Sequence, residues 1–433
     1  TPIKSSAASD VYKRQSKILE DIDYAIAKLP QEQNVYSVTQ WTALALKSRI
    51  CLFEGTFRKY HGIAGHEEYL DECIKAAERF IDESPYLIYK GSSTPYRDLF
   101  SSNNAISTEV ILARDYEIGL NIIHNANNYT LSNTYGMPGL NKKIVDSYLK
   151  SDGSRFTDVP GYSTMEFYQE MQGRDPRLTQ TVRGPGYTRI GQTAKLSPDF
   201  SCSTTGYQLT KWVTDVSQDG YNKSYNDIIL FRAAEVYLNF AEAKAELGTL
   251  TQEDINLSVK RLRDRVGMSN LILDDANKNP DPYLSDAKTG YPNVTGANKG
   301  VILEIRRERT VELLMENLRY WDIMRWKEGK RFEKPFTGLY FPGTGSYDLN
   351  NDGVDDVCIW SGSKPATSAP AVYELNKEIF LSGGDSGYII IHTDYARSWN
   401  EERDYLYPVP TDDRVLTQGA ITQNPGWNDG LNF

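Results

Sequence analysis

The stretch IRRERTVELLMENLRYWDIMRW, residues 305–326, limits the possible folds more than any other part of this chain. Apolar residues recur in it at helical spacing among a dense run of charges. This pattern predicts one long helix from about residue 301 to residue 328, with a buried stripe along one side. The members of the stripe are Val311, Leu314, Met315, Leu318 and Trp321.

The same stripe carries carboxylates when it is continued toward the N-terminus, where it reaches Glu308 and Glu304. A carboxylate on a buried face is costly unless a cation and hydrogen bonds satisfy it. Because arginines occur in EIRRER (304–309) and at Arg232, we predict that Glu308 pairs with an arginine of this set. Paired carboxylates also suggest a glycosidase, but that reaction needs two carboxylates across a cleft, and the sequence indicates no cleft here.

Helical periodicity also marks other parts of the chain. The predicted helices cover residues 16–29, 41–55, 69–81, 226–248 and 253–267. The second and third of these predict a helical hairpin. Trp41, Ala76 and Phe80 partly match the tetratricopeptide pattern within it, although the intervening loop is too long for a regular repeat.

Loop-like sequence separates these helical parts, and we predict a single mainly α domain over residues 16–433. Its parts are tetratricopeptide-like helices (16–90), a loop-rich region (91–225), a helical scaffold (226–330) and a loop-rich C-terminal part (331–433). Residues 1–15 carry no period and join abruptly to the helical pattern. We therefore expect them to be a non-native scar at a truncated N-terminus.

The composition excludes some classes of function. A net charge of -10 argues against nucleic acid, whose phosphates attract clustered Lys and Arg. No apolar run is long enough for a membrane span, and no signal peptide opens the chain. Tyrosines (29) outnumber phenylalanines (14), which suits an amphipathic partner such as a sugar. The alternative is that tyrosines cap exposed edges of the core.

Several motifs that could indicate an enzyme or a metal site fail on context. The four cysteines lack close metal spacing, and we predict that Cys51 and Cys73 are buried free thiols, although a bridge across the hairpin stays open. The run GGDSGY (383–388) is similar to the nucleophile region of chymotrypsin-like proteases but lacks the matching His and Asp signature. It predicts a glycine-rich turn before the strand YIIIH.

The stretch YDLNNDGVDDVCIW, residues 347–360, is similar to a calcium loop. The residues that match positions one, three, five, seven and nine of an EF-hand-type loop are Asp348, Asn350, Asp352, Val354 through its carbonyl, and Asp356. Position twelve is Ile359 instead of a bidentate acid, and no amphipathic helices flank the loop. A structural calcium site completed by a distant carboxylate and a solvated acidic turn both remain open. No other cofactor is indicated.

Five motifs in register resemble the SusD/RagB family of Bacteroidetes. They are RDPRL (174–178), FRAAEVYLNFAEAKAELG (231–248), LRDRVGM (262–268), IRRERTVELLMENLRYWDIMRW (305–326), and the terminal pair YLYPVP with TQNPGW. Their order and spacing match the family from about residue 16 to the end. The resemblance implies tetratricopeptide-like helix pairs on one side of the molecule and a loop-rich ligand face on the other.

The resemblance further implies a non-catalytic lipoprotein on the outer face of the outer membrane. Such proteins capture oligosaccharides, or sometimes peptides, for a SusC-like TonB-dependent transporter. The signal peptide, the lipid-anchor cysteine and the first helices expected of a full member do not occur in this sequence. Membrane attachment is therefore expected only through an N-terminal anchor missing here.

The family motifs are structural, so the ligand residues are predicted from position in the fold. The segment after ILARDY (111–116) should approach the ligand face. Its candidates for binding a glycan by ring stacking and amide hydrogen bonds are Tyr116, Asn128, Tyr129 and Tyr135, with Trp360 added from the C-terminal part. The alternatives to glycan capture are a peptide-binding scaffold and a glycoside hydrolase.

Overall fold

The computed structural model describes residues 3–432, with side chains from residue 15 onward. The helices are α1 (Ile3–Lys28), α2 (Gln40–His61), α3 (His66–Glu83), α4 (Pro95–Ser101), α5 (Ala126–Leu131), α6 (Lys142–Ser147), α7 (Phe167–Glu170), α8 (Pro176–Thr179), α9 (Ala233–Leu247), α10 (Gln252–Leu257), α11 (Val259–Arg265), α12 (Leu273–Lys278), α13 (Pro282–Ser285), α14 (Lys299–Glu312), α15 (Arg319–Arg325) and α16 (Thr411–Leu416). The predicted mainly α class is confirmed. Within residues 3–432, no helix combines the length and apolar character needed to cross a bilayer.

The strands form three small sheets. They are β1 (Val110–Arg114), β2 (Ile228–Arg232), β3 (Thr337–Phe341), β4 (Gly345–Tyr347), β5 (Val357–Trp360), β6 (Ala371–Glu374) and β7 (Gly387–Ile390). Strand β1 pairs antiparallel with β2, and β3 pairs antiparallel with β7. The third sheet has the order β4-β5-β6, in which β5 and β6 run parallel. The glycine-rich run 383–388 forms the predicted turn before β7.

The predicted helical hairpin is α2 and α3. Thr39 and Thr42 form a capping box at the start of α2, and Gly62 ends it in the left-handed conformation. The Trp41 and Phe80 rings meet edge to face across the hairpin, with centroids 6.4 Å apart. Helix α9 packs against both helices and against α14, so the hairpin forms part of one core.

Two predictions at the N-terminal end have different outcomes. Helix α1 begins at Ile3, whereas the sequence predicted a helix only from residue 16. The origin of residues 1–15 stays a prediction, and residues 1 and 2 lie outside the described part of the chain. Cys51 and Cys73 are buried free thiols as predicted.

The prediction of one long helix over 301–328 is wrong. Helix α14 ends at Glu312, and α15 begins at Arg319 after a turn in which Met315 and Asn317 adopt positive φ angles of 61° and 62°. Distant side chains bind the carbonyls of this region. Tyr96 Oη donates to the Glu312 carbonyl at 2.7 Å, and Lys211 Nζ donates to the Leu314 carbonyl at 2.6 Å. These bonds replace the helical ladder that local periodicity predicts. Trp321, predicted to be buried, is 42% exposed.

Glu308 is buried and paired, but the predicted set of partners is wrong. Arg177 Nη1 lies 2.5 Å from Glu308 Oε1, and Arg263 Nε lies 3.1 Å from Glu308 Oε2. The neighbouring Arg307 pairs instead with Glu304 and Asp281, because adjacent residues of a helix point in different directions.

Arg309 and Arg232, the other expected partners, are also engaged elsewhere. Arg309 pairs with Glu242 and Asp322, and Arg232 pairs with Glu109, Glu312 and Glu316. Arg306 lies over the Trp326 ring, with its guanidinium carbon 4.3 Å from the centroid. Each arginine of the predicted set is therefore bound to another group.

Glu312 is the centre of a buried ion network. Its carboxylate pairs with Arg177 from α8, Arg232 from β2 and Arg265 from α11, all of them buried. Burial alone would raise the pKa of Glu312, but Arg265, Arg232 and Arg177 together hold that pKa well below its ordinary value of 4.5. The stability that this carboxylate contributes is therefore present above about pH 4.5 and is lost as the pH falls toward the folded-state pKa.

We expect Glu312→Ala to lower the free energy of unfolding by ~3–5 kcal/mol, because it removes the carboxylate that three buried guanidinium groups share. Urea denaturation monitored by circular dichroism measures the change. The matched control is Glu83→Ala on α3, which breaks an exposed pair with Arg79 and should cost at most about 1 kcal/mol. A Glu312→Ala variant as stable as the control would contradict the role given to the network.

Candidate functional site

An open cleft of about 560 Å³ lies between α5, strand β2 and the turn that joins α14 to α15. Three aromatic side chains line it: Tyr129 from α5, Trp212 from the loop before β2, and Trp321 from α15. Asn317 and Thr130 add polar groups to the wall. An apolar cleft with a few placed polar groups is the usual form of a small-molecule site.

The cleft adjoins a second cavity along α2. Arg49, Leu318 and Trp321 line both spaces, and the second has a volume of about 330 Å³. Phe53 contributes to its wall, and its ring meets Trp321 edge to face with centroids 6.0 Å apart. The cleft and this cavity, which share these three residues, together form one groove.

Packing contacts hold two of the three rings, those of Trp212 and Trp321, in place. Trp212 packs edge to face on Phe100 with centroids 4.9 Å apart, and its Nε1 donates to the Met315 carbonyl at 3.3 Å. Trp321 rests on Phe53 and on Tyr320, whose ring centroid is 5.2 Å away. Tyr129 and Trp321 remain 53% and 42% exposed, so their faces are open to a ligand.

Three residues with strained backbone line this cleft. Trp212, Met315 and Asn317 all line it, and all three have positive φ, at 72°, 61° and 62°. A bulky residue such as Trp rarely adopts this conformation, which costs of order 1–3 kcal/mol and tends to occur at ligand-binding sites.

Buried charges support the strained turn from below. Glu316 accepts from Arg232 Nε at 2.7 Å and from Lys211 Nζ at 2.7 Å. Burial alone would raise the pKa of Glu316, but Arg232 and Lys211 together lower it. Burial lowers the pKa of Lys211 to about 8, although Glu316 opposes the change. The cleft's carboxylate therefore stays ionised near neutral pH.

Arg49, the arginine that lines the cleft, is also paired with a carboxylate. Its Nε and Nη2 atoms donate to the two carboxylate oxygens of Glu235, each at 2.6 Å. With both charges paired inside the protein, the cleft presents mainly aromatic rings and the Asn317 amide to a ligand.

The predicted ligand residues do not all come together. Tyr129 lines the cleft. The Tyr135 ring lies beside the Tyr129 ring, with centroids 6.3 Å apart. Asn128, next to Tyr129 on α5, lines a different cavity and donates from Nδ2 to the Asp219 carbonyl at 3.0 Å.

Tyr116 and Trp360 lie outside the cleft. The Tyr116 ring packs against His124, with centroids 4.5 Å apart, and beneath the Arg114 guanidinium. Trp360 ends β5 in the three-stranded sheet. A ligand role for either residue stays a prediction.

Sequence reasoning missed Trp212, Asn317 and the exposure of Trp321. Trp321 was assigned to the buried stripe because the break between α14 and α15 was not predicted. Trp212 lies in a stretch without periodicity, so only its ring chemistry could have indicated it.

The acidic loop 348–356 is folded on the Asp348 carboxylate, which accepts from the backbone N–H of Asn350, Asp352 and Gly353. The Gly353 bond is 2.7 Å long. Asp356 instead accepts from Ser197 Oγ at 2.5 Å and from Leu349 N–H at 2.8 Å.

This arrangement fits calcium only in part. Of the predicted ligands, Asp356 bonds outside the loop to Ser197, whereas Asp348, Asn350 and Asp352 bond within it. Among the side chains of residues 15–432, however, no three from His, Cys, Asp or Glu are grouped closely enough to hold a metal ion. Calcium binding by this loop stays a prediction.

Comparison with known proteins gives a consistent result. A model of the SusD family matches residues 102–427. No match was found among curated proteins. Among solved structures, a SusD-like protein from Bacteroides fragilis NCTC 9343 has a TM-score of 0.63 and 20% identity, covering 95% of this chain and 70% of that one.

Two further structures have the same fold. A SusD-like carbohydrate-binding protein from Bacteroides fragilis NCTC 9343 has a TM-score of 0.62 and 21% identity, covering 93% of this chain and 70% of that one. A SusD superfamily protein from Parabacteroides distasonis ATCC 8503 has a TM-score of 0.54 and 16% identity, covering 95% and 68% of the two chains. The fold predicted from the five motifs is confirmed.

We expect Asn317→Val to lower the free energy of unfolding by ~1–2 kcal/mol, because a β-branched residue tolerates positive φ poorly. Asn317→Gly should leave stability unchanged or raise it. The control is Asn104→Val, at an exposed asparagine outside the left-handed region. Chemical denaturation of the three variants tests the strain, and equal effects of the two valine substitutions would refute it.

Proposed function

The chain belongs to the SusD family, and from this membership we propose that it captures oligosaccharides without cleaving them. The observation that carries the proposal is the cleft in which Tyr129, Trp212 and Trp321 present their rings. The carbohydrate-binding relative from Bacteroides fragilis supports the same ligand class.

The chemistry of the cleft suits a sugar. The apolar face of a pyranose ring packs on an aromatic face, and the hydroxyl groups need hydrogen-bond partners at the rim. Asn317, which is exposed in the cleft, lies where its amide can supply such partners. The adjoining cavity past Trp321 extends the groove, which favours an oligosaccharide over a single sugar.

A hydrolase is less well supported. A glycosidase needs a carboxylic acid with a raised pKa opposite a second carboxylate. Glu316, the carboxylate that lines this cleft, has a lowered pKa and is bound by Arg232 and Lys211. Its ionised state suits positioning of the turn better than proton donation.

We further propose that the whole protein acts at the outer face of the outer membrane. There it would deliver its glycan to a SusC-like TonB-dependent transporter, and an N-terminal lipid would attach it to the membrane. Family membership supports this proposal. Within it, Tyr129 and Tyr135 form the rim of the site, and Asn128, Tyr116 and Trp360 are secondary candidates for glycan contact.

We expect Tyr129→Ala and Trp321→Ala each to weaken oligosaccharide binding by about tenfold, ~1.4 kcal/mol, because each removes one stacking surface. Isothermal titration calorimetry against a panel of plant and host oligosaccharides gives the affinities. Tyr24→Ala is the matched control, since this tyrosine is 67% exposed on α1. Unchanged affinity in both cleft variants would exclude this cleft, and tight peptide binding without any glycan binding would favour the scaffold alternative.

The protein should leave its ligand intact. After prolonged incubation with an oligosaccharide that binds, anion-exchange chromatography should show the original chain length and no reducing-end products. Cleavage that disappears in Glu316→Gln would instead establish a hydrolase.

A further inference from the structure

A third cavity, polar and of about 260 Å³, lies beside α5. Asn128 of α5 lines this cavity, whereas Tyr129 lines the aromatic cleft, so the short helix separates the two spaces. The other residues on which the argument depends are Arg183, Tyr187, Arg189 and Thr210.

The wall of this cavity carries polar atoms that are buried without a partner. Tyr187 is 8% exposed and Thr210 is 2% exposed, and neither hydroxyl has a hydrogen-bond partner within the part of the chain that the structure describes. The same is true of the Nε atoms of Arg183 and Arg189. Buried donors without partners cost about 1–3 kcal/mol each, so four of them in the wall of one cavity favour it as a site for a polar ligand.

Only one of the two arginines that line the cavity is paired with a carboxylate of the described residues. Arg189 is neutralised by Asp219, with Nη2 at 2.6 Å and Nη1 at 2.8 Å from its carboxylate oxygens. Arg183 donates to the neutral Gln208 Oε1 at 2.8 Å and forms no ion pair with a side chain of residues 15–432.

Arg97, a second arginine without an ion pair to any side chain from residue 15 onward, also lies against Tyr187. It donates to the Thr188 carbonyl at 3.2 Å and also has no carboxylate partner among the described side chains. The guanidinium carbons of Arg97 and Arg183 lie 5.1 Å and 5.7 Å from the Tyr187 ring centroid. Two cations without counterions therefore flank Tyr187.

The remaining carboxylate of the wall does not neutralise them. Asp199 is exposed and accepts from the N–H and Oγ of Ser201. Burial lowers the pKa of Arg183, although Tyr187 and Asp199 partly oppose the change. A bound anion would offset this cost of burial.

We propose that this cavity binds the acidic group of a sugar, either the carboxylate of a hexuronate or a sulfate ester. Arg183 would pair with the anion, since a guanidinium fork matches both groups, and Tyr187 and Thr210 would donate their free hydroxyls. Asn128 lies in the same wall, and its Oδ1 would accept from a sugar hydroxyl while its Nδ2 stays bonded to the Asp219 carbonyl. The inference rests on the proposed function, because it names the class of glycan that the same protein would select.

The size of the cavity favours a sugar over a bare anion. At ~30 Å³ for each water, 260 Å³ corresponds to roughly nine water molecules, more than one inorganic oxyanion fills.

Calorimetry with monosaccharides tests the proposal. We expect glucuronate, galacturonate or a sulfated hexose to bind at least tenfold tighter than the neutral hexose, and to weaken as salt is added. Arg183→Gln should abolish this preference, and Tyr187→Phe should reduce it severalfold. Arg79→Gln and Tyr24→Phe, at exposed positions on α3 and α1, are the matched controls and should have no effect.

Three results would overturn the proposal. They are equal binding of acidic and neutral sugars, an acid preference that survives Arg183→Gln, and binding of inorganic sulfate at this cavity with no acidic sugar bound. Thermal unfolding checks that the variants are folded. If Arg183→Gln is not folded, the acid preference of Tyr187→Phe is measured instead. An unchanged preference in that variant would count against the proposal.

The outcomes also separate this inference from the proposed function. Neutral oligosaccharides that bind in a Tyr129-dependent manner, without any acid preference, would support the cleft and refute the acidic cavity. Acidic monosaccharides that depend on Arg183, with no oligosaccharide affected by Tyr129→Ala, would support the cavity and refute the cleft.

Discussion

The pairing of Glu312 with Arg177, Arg232 and Arg265 is the interaction on which the rest of the structure depends. The three arginines come from α8, β2 and α11, so one carboxylate connects the loop-rich part of the chain to the helical core. Buried ion pairs often add little net stability compared with apolar packing, but removing one partner is costly. We infer that the network fixes the relative positions of these segments and that apolar burial supplies most of the stability.

The network also shapes the cleft. Arg232 reaches from Glu312 to Glu316, and Lys211 binds Glu316 and the Leu314 carbonyl. These contacts hold the turn after α14 in a strained conformation and bring the adjacent Trp212 against it. The exposed rings of the site therefore follow from charges buried beneath them, and a rigid arrangement of rings lowers the entropy lost when a ligand binds.

The sequence predicted those parts of the fold that depend on local information. Helices α2, α3 and α9 have strong periodicity and clear ends, and the five motifs identified the family. The break after Glu312 was not predictable, because the donors that replace the helical bonds come from Tyr96 and Lys211, far away in the chain. The partners of Glu308 were missed for the same reason. In the site, Tyr129 was predicted. Trp321 was predicted to be buried instead of exposed, because the break between α14 and α15 was not predicted.

The central claim is that a rigid helical core presents Tyr129, Trp212 and Trp321 to a sugar that the protein holds without altering. A crystal structure with a bound oligosaccharide tests it most directly. The account predicts an intact chain of sugar rings in the groove, stacked on at least two of these three side chains. An oligosaccharide bound elsewhere on the molecule, or found cleaved between two facing carboxylates, would contradict it.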